Sequence, residues 1–175
     1  WRKRVGDAEA NRVSKESAGL GTKVHDALEK HILGEDVTFG NNMVSVMAKD
    51  MSELVINEGF KNVDEVWGTE IGLIAPGLYA GTTDCIGMHK GEEAIIDFKT
   101  SKKIKKEEWI EDYYLQCCAY ALAHNEMYGT NIKKGVILMV SRDVKFKEFV
   151  IEGARFEMYC DLWAQRLEEY YSKFG

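Results

Sequence analysis

The chain has 175 residues, 45% of them hydrophobic and 30% charged, with a net charge of −6. That length and mix suit one globular domain with a sizeable core. No apolar run approaches the roughly 20 residues of a membrane-spanning helix, and the acidic balance by itself argues against a broad phosphate-binding surface.

Residues 5–18 predict a helix that Gly19 and Gly21 interrupt. Residues 22–33 predict a second, with Thr22 as N-cap, an apolar stripe of Val24, Leu28 and Ile32, and His25 at its border. A polar turn region over residues 34–42 leads to a third helix over 43–58. Residues 64–74 predict a strand carrying Glu70, closed by a turn at Pro76-Gly77. Residues 107–128 predict a helix, with Trp109, Tyr113, Tyr114, Cys117 and Tyr120 at helical spacing and Gly129 as C-cap. Trp109 and Tyr113 read there as core. Residues 135–141 form a continuous apolar run suited to a central strand, and residues 145–151 alternate as a further strand. Residues 155–174 predict an amphipathic helix whose aromatic stripe, Phe156, Tyr159, Trp163, Tyr170 and Phe174, reads as core. His31 and His124 read as helix-surface residues and His89 as a turn residue, none with a role.

Between these elements, Gly81 to Ser101 predicts a hairpin. With Lys90-Gly91 as its two-residue turn, His89 faces Glu92, and counting back sets Asp84 opposite Asp97. Opposed residues on one face have Cβ atoms about 5 Å apart, so the two carboxylates repel unless a cation lies between them. Lys99, two residues past Asp97, points to the same face. A structural salt bridge is the plainer explanation, but one lysine does not neutralise two carboxylates, and burying them without a cation is costly. The pattern points to a divalent-metal site. The element order predicts an α/β domain with a mixed sheet, comprising a helical part (1–60) and a sheet part (61–175). The chain begins at Trp1, which reads as a fragment lacking upstream residues.

The four cysteines, Cys85, Cys117, Cys118 and Cys160, lack CxxC spacing and read as buried free thiols. Two basic runs stand out. One is Arg2, Lys3 and Arg4. The other is Lys102, Lys103, Lys105 and Lys106, which leaves the metal face directly. A lysine run is usually a solvated turn, but this placement makes contact with a polyanion an even alternative.

Five short motifs resemble, in order, those of the PD-(D/E)XK nuclease superfamily and its RecB-like exonuclease branch. Gly21 to His25 looks like GTxxH, Gly81 to Asp84 like GxxD, and Asp97 to Thr100 like the DxKT core. Gln116 and Tyr120 look like QxxxY, and Glu70 sits where a first-strand acidic residue falls. The likeness is strongest to phage and mitochondrial single-strand exonucleases. It implies a restriction-endonuclease-like αβββαβ core with extra N-terminal helices. Asp84, Asp97 and the Phe98 carbonyl would hold one or two Mg²⁺ or Mn²⁺ ions, with His25 as a nitrogen ligand. Glu70 would take a second ion or hold the water of the first. Lys99 would orient or deprotonate the attacking water, and Gln116 and Tyr120 would position Lys99 or touch the phosphate backbone. The basic runs would meet DNA, and Trp1, Trp109 and Tyr113 are aromatics that could stack on its bases, although Trp109 and Tyr113, at helical spacing, read rather as core. No iron–sulfur cluster is expected, because the cysteine spacing does not match. The implied activity is metal-dependent DNA exonuclease, favouring single strands or free ends, in repair or recombination. An endonuclease of the same fold and a silent nucleic-acid-binding module are the alternatives. The expected setting is the cytoplasm of a bacterial or phage-infected cell, or an organelle if a targeting segment has been removed.

Overall fold

The computed structural model describes residues 1–175, the side chain of Arg2 excepted. The chain runs α1 (Arg2–Val5), α2 (Asp7–Ile32), α3 (Met43–Glu58), β1 (Val63–Ala75), β2 (Tyr79–His89), β3 (Glu92–Ser101), α4 (Glu111–Tyr128), β4 (Gly135–Ser141), β5 (Phe146–Ile151) and α5 (Gly153–Phe174). The strands form a mixed sheet in the order β1-β2-β3-β4-β5. Only the β3–β4 step is parallel. A parallel step needs a crossover, and α4 supplies it. This is the predicted αβββαβ core, preceded by N-terminal helices.

Each face of the sheet is covered by helices. Strand periodicity divides the side chains: Ile95, Ile137 and Met139 pack with α4 and α5, while Ile96, Phe98, Leu138 and Val140 pack with α2 and α3. Every residue of β4 is buried, as a strand covered on both faces must be. Each fully buried Val, Leu or Ile there is worth roughly 1.5–3 kcal/mol, so β4 anchors both helix layers. The hairpin has the predicted register, His89 opposite Glu92. Its turn residues Lys90 and Gly91 have φ of 48° and 81°, the left-handed pair that matches strand twist.

Four expectations need correction. Gly19 and Gly21 do not interrupt the N-terminal helix, and Thr22 caps nothing, since α2 is continuous over 26 residues. Burial of Leu20, Val24, Ala27 and Leu28 on the sheet outweighs the cost of about 1 kcal/mol for each mid-helix glycine. The aromatic stripe of α5 is core only in its first turns: Phe156 is buried, but Tyr170 and Phe174 are 56% and 74% exposed. His89 is fully buried; it pairs with Glu148, and its carbonyl accepts a hydrogen bond from Lys134. His124 is also buried, hydrogen-bonded to Thr130 and stacked on Trp67.

Candidate active site

Pairing of β2 with β3 ends at Cys85 opposite Ile96. Beyond that point β2 stays paired to β1 as far as Tyr79, and β3 to β4 as far as Ser101. The sheet therefore forks, and Asp84 and Asp97 are the first residues past the fork, one on each branch. On the outer side of β2, the pairs Thr69–Cys85 and Ile71–Thr83 set Glu70 opposite Asp84. Glu70, Asp84 and Asp97 thus occupy one row across three strands. Glu70 has φ of 48°, a left-handed conformation that costs a non-glycine residue roughly 1–3 kcal/mol and concentrates at functional sites.

Helices close on the fork from both faces. From α2, the His25 ring places Nδ1 2.9 Å from the Gly21 carbonyl. With Nδ1 donating there, Nε2 faces Asp84 Oδ2 at 3.4 Å, the orientation that leaves a ring nitrogen free to ligate. A Cβ on Gly21 would lie 3.2 Å from Thr100 Oγ1, so this glycine lets α2 approach β3 where two motifs meet. Asp84 Oδ2 also accepts the Phe98 N–H at 2.8 Å. From α4, Gln116 Oε1 accepts from Lys99 Nζ at 3.0 Å, and Gln116 Nε2 donates to the Tyr120 hydroxyl at 3.0 Å. The Tyr113 ring lies 4.6 Å from Lys99 Nζ. Tyr120 in turn rests on Gly81, where a Cβ would stand 2.8 Å from the ring.

The electrostatics follow from this crowding. Asp97 is 4% exposed. Burial, and then the Asp84 carboxyl, push its pKa up, against the pull of Lys99. Asp84 is driven well below the carboxylate range: burial opposes its charge, but His25, Asp97 and the Phe98 N–H together prevail. His25 is raised to about 9; burial works against the imidazolium and pairing with Asp84 overcomes it. Glu70 is raised by burial and by the charges of Asp84 and Glu29.

Divalent ions need oxygen donors. Among the described residues, no three His, Cys, Asp or Glu side chains stand ready around a metal ion, because the donors pair with one another and with Lys99. The donor set nevertheless suits one. Asp97 Oδ2 lies 3.0 Å from Lys99 Nζ, yet without hydrogen-bond geometry, so this buried oxygen has no hydrogen-bond partner. Two carboxylates in contact and an unsatisfied buried oxygen are what a cation would relieve.

Comparison with known proteins agrees with the fold. No family model matches the chain. It is 29% identical over 160 residues to mitochondrial genome maintenance exonuclease 1 of Homo sapiens, covering 87% of this chain and 45% of that protein. It is 32% identical over 101 residues to the Mus musculus protein of the same name, covering 54% of this chain and 29% of that protein. The chain thus spans less than half of each curated relative. A crystal structure of a presumed exonuclease from Eubacterium rectale superposes with a TM-score of 0.60 at 9% identity, over 88% of this chain and 65% of that one. This chain has the fold of that structure, a restriction-endonuclease-like core.

On that core, His25, Glu70, Asp84, Asp97, Phe98, Lys99, Gln116 and Tyr120 all lie at the fork or in contact with its residues. The second basic run leaves β3 beside them: Lys105 donates to the Tyr113 hydroxyl at 2.9 Å, and Lys102, Lys103 and Lys106 are exposed. The first basic run is not brought there. Lys3 and Arg4 lie on α1, beyond the start of α2, and Asp7 to His25 spans about 27 Å of helix axis; the side chain of Arg2 lies outside the described residues. Three residues near the site were not assigned to it by the sequence reading, which took Tyr113 for core. Tyr113 shares the Gln116 face at i−3, a spacing that could have flagged it. Glu29, one turn after His25, bears on Glu70. Arg142 donates its backbone N–H to the Ser101 carbonyl at 3.0 Å and pairs with Ser17 on α2; its approach depends on the β4–β5 turn, and no local pattern announces it.

Proposed function

We propose that residues 1–175 form one nuclease domain, a metal-dependent deoxyribonuclease that digests DNA from free ends and favours single strands. The observation that carries this reading is the Asp84–Asp97 pair at the sheet fork, Asp97 buried and Asp84 half-buried, with Lys99 beside it. The relatives' names favour an exonuclease over an endonuclease, and those of the two mammalian relatives favour an organellar setting. A bound Mg²⁺ or Mn²⁺ would supply Lewis acidity to the scissile phosphate and its nucleophile. Asp84, Asp97 and the Phe98 carbonyl would hold it through oxygen and His25 through Nε2, the Gly21 carbonyl fixing the ring. Glu70, at the outer end of the row, would take a second ion or orient water. Lys99 offsets negative charge developing on the phosphate. Gln116, braced by Tyr120, positions the Lys99 ammonium. Lys102, Lys103, Lys105 and Lys106 guide the strand.

The test uses 5′-labelled linear and circular single-stranded DNA with Mg²⁺, Mn²⁺ or EDTA. Loss of the linear strand alone, and only with metal, is the expected result, and Lys99→Ala should slow it roughly 100- to 1,000-fold. Cutting of the circle would replace the reading with an endonuclease. Binding without cutting in any metal would replace it with a silent binding module.

A further inference from the structure

The sequence reading favours the core over base stacking for Trp109, but Trp109 is 67% exposed. It ends the short 3₁₀ turn Glu107–Trp109, between the lysine run and α4. Lys106 Nζ sits 5.2 Å from its ring centroid. Tyr113 lies four residues on, in the first turn of α4. Its ring has Lys99 Nζ at 4.6 Å and Lys105 Nζ at 5.2 Å. Cations and aromatic rings are thus paired in two steps away from the carboxylate fork: Tyr113 between Lys99 and Lys105, then Trp109 with Lys106.

Charge decides what this surface suits. A protein contact would want an apolar surround, yet the neighbours in sequence, Lys106, Glu107 and Glu108, are charged. Glu107 is engaged by Arg155 at 2.8 Å and by the Tyr114 hydroxyl at 2.9 Å, and Asp112 by Arg166 at 3.1 Å, which offsets their charges and leaves Glu108 and Glu111 as the opposing ones. Lys102, Lys103 and Lys106 are exposed on the same loop. An open indole face among ammonium groups matches a molecule with both a π-face and phosphates, which is an unpaired nucleotide strand.

We propose that Trp109 is a stacking platform for an unpaired nucleobase of the strand whose phosphate lies at the Asp84–Asp97 fork, with Lys102, Lys103 and Lys106 on the neighbouring phosphates. This rests on the nuclease reading and names its substrate class as single-stranded and base-bearing. The assay is fluorescence anisotropy of labelled oligothymidylate, and of the same strand built from abasic sites, with the full chain in EDTA. Trp109→Ala should weaken oligothymidylate binding roughly 5- to 100-fold. Trp109→Phe should restore most of it. The abasic strand should bind wild type and Trp109→Ala alike, a discrimination that a merely structural role would not produce. Since Trp109 is exposed, unchanged thermal melting should accompany these results. Equal binding of oligothymidylate by wild type and Trp109→Ala overturns the platform while leaving cleavage, measured separately in Mg²⁺, to judge the nuclease reading. Base-dependent binding without cleavage keeps the platform and overturns the nuclease. Absence of all DNA binding overturns both.

Discussion

Replacing Asp97 with Asn should stabilise the metal-free protein while removing its metal affinity. Asp97 is buried against a second carboxyl, which holds its pKa up at about 8 instead of 3.8. The unfolded chain prefers the ionised form at pH 7, so folding must retain a proton there across roughly three pKa units, at about 1.4 kcal/mol each, or about 4 kcal/mol in all. Asn has nearly the same shape and no such cost. The variant loses the contact with Lys99, whose ammonium still has Gln116 and the Tyr113 ring, so the net gain is taken as about half, roughly 2 kcal/mol. For a chain of this size that raises the melting temperature by about 5 °C. Because a raised carboxyl pKa destabilises above the unfolded value, the advantage of Asn should shrink as pH falls from 8 toward 4. Calorimetry in EDTA at pH 7 and pH 4.5 measures both, and Mg²⁺ should then stabilise wild type but not the variant. A variant that melts at or below wild type at pH 7, or an advantage undiminished at pH 4.5, refutes the electrostatic argument.

Metal binding should release protons. A ligating His25 must be neutral, yet its pKa is held at about 9 by Asp84 against burial, and Asp97 is raised beside it. Titration calorimetry in two buffers of different ionisation enthalpy at pH 7.5 should register about one to two protons per ion, with affinity rising toward pH 9; no proton release contradicts this account. The same raised value means that the His25–Asp84 pair supports the metal-free fold fully below pH 6.5 and fades as pH passes about 9. Gly81→Ala should cost roughly 1–3 kcal/mol, because the new Cβ would stand 2.8 Å from Tyr120 Cε1. Adding Tyr120→Ala should recover part of that loss in chemical denaturation, and strictly additive effects would remove the close approach as its cause.

Much of the centre can be read from local chemistry. A two-residue turn at Lys90-Gly91 and a strand period of two are enough to oppose Asp84 and Asp97 and to put Lys99 on their face. The spacing of Gln116 and Tyr120 on one helix likewise needs only 3.6 residues per turn. Other features involve partners far along the chain. His89 looks like a turn residue until Glu148, 59 positions later, pairs with it in the interior. Glycines in α2 look like breaks until the sheet packs against that helix, and Trp109 and Tyr170 look like core until no element covers them. The fork itself, where β2 follows β1 and β3 follows β4, is a property of the whole sheet. Periodicity and turn chemistry act within a few residues, so the sequence by itself determined the strands, the hairpin register and the carboxylate pair. Burial and charge environment depend on which elements meet, so only the tertiary structure decided that Asp97 is left with an unsatisfied oxygen and Trp109 with an open face.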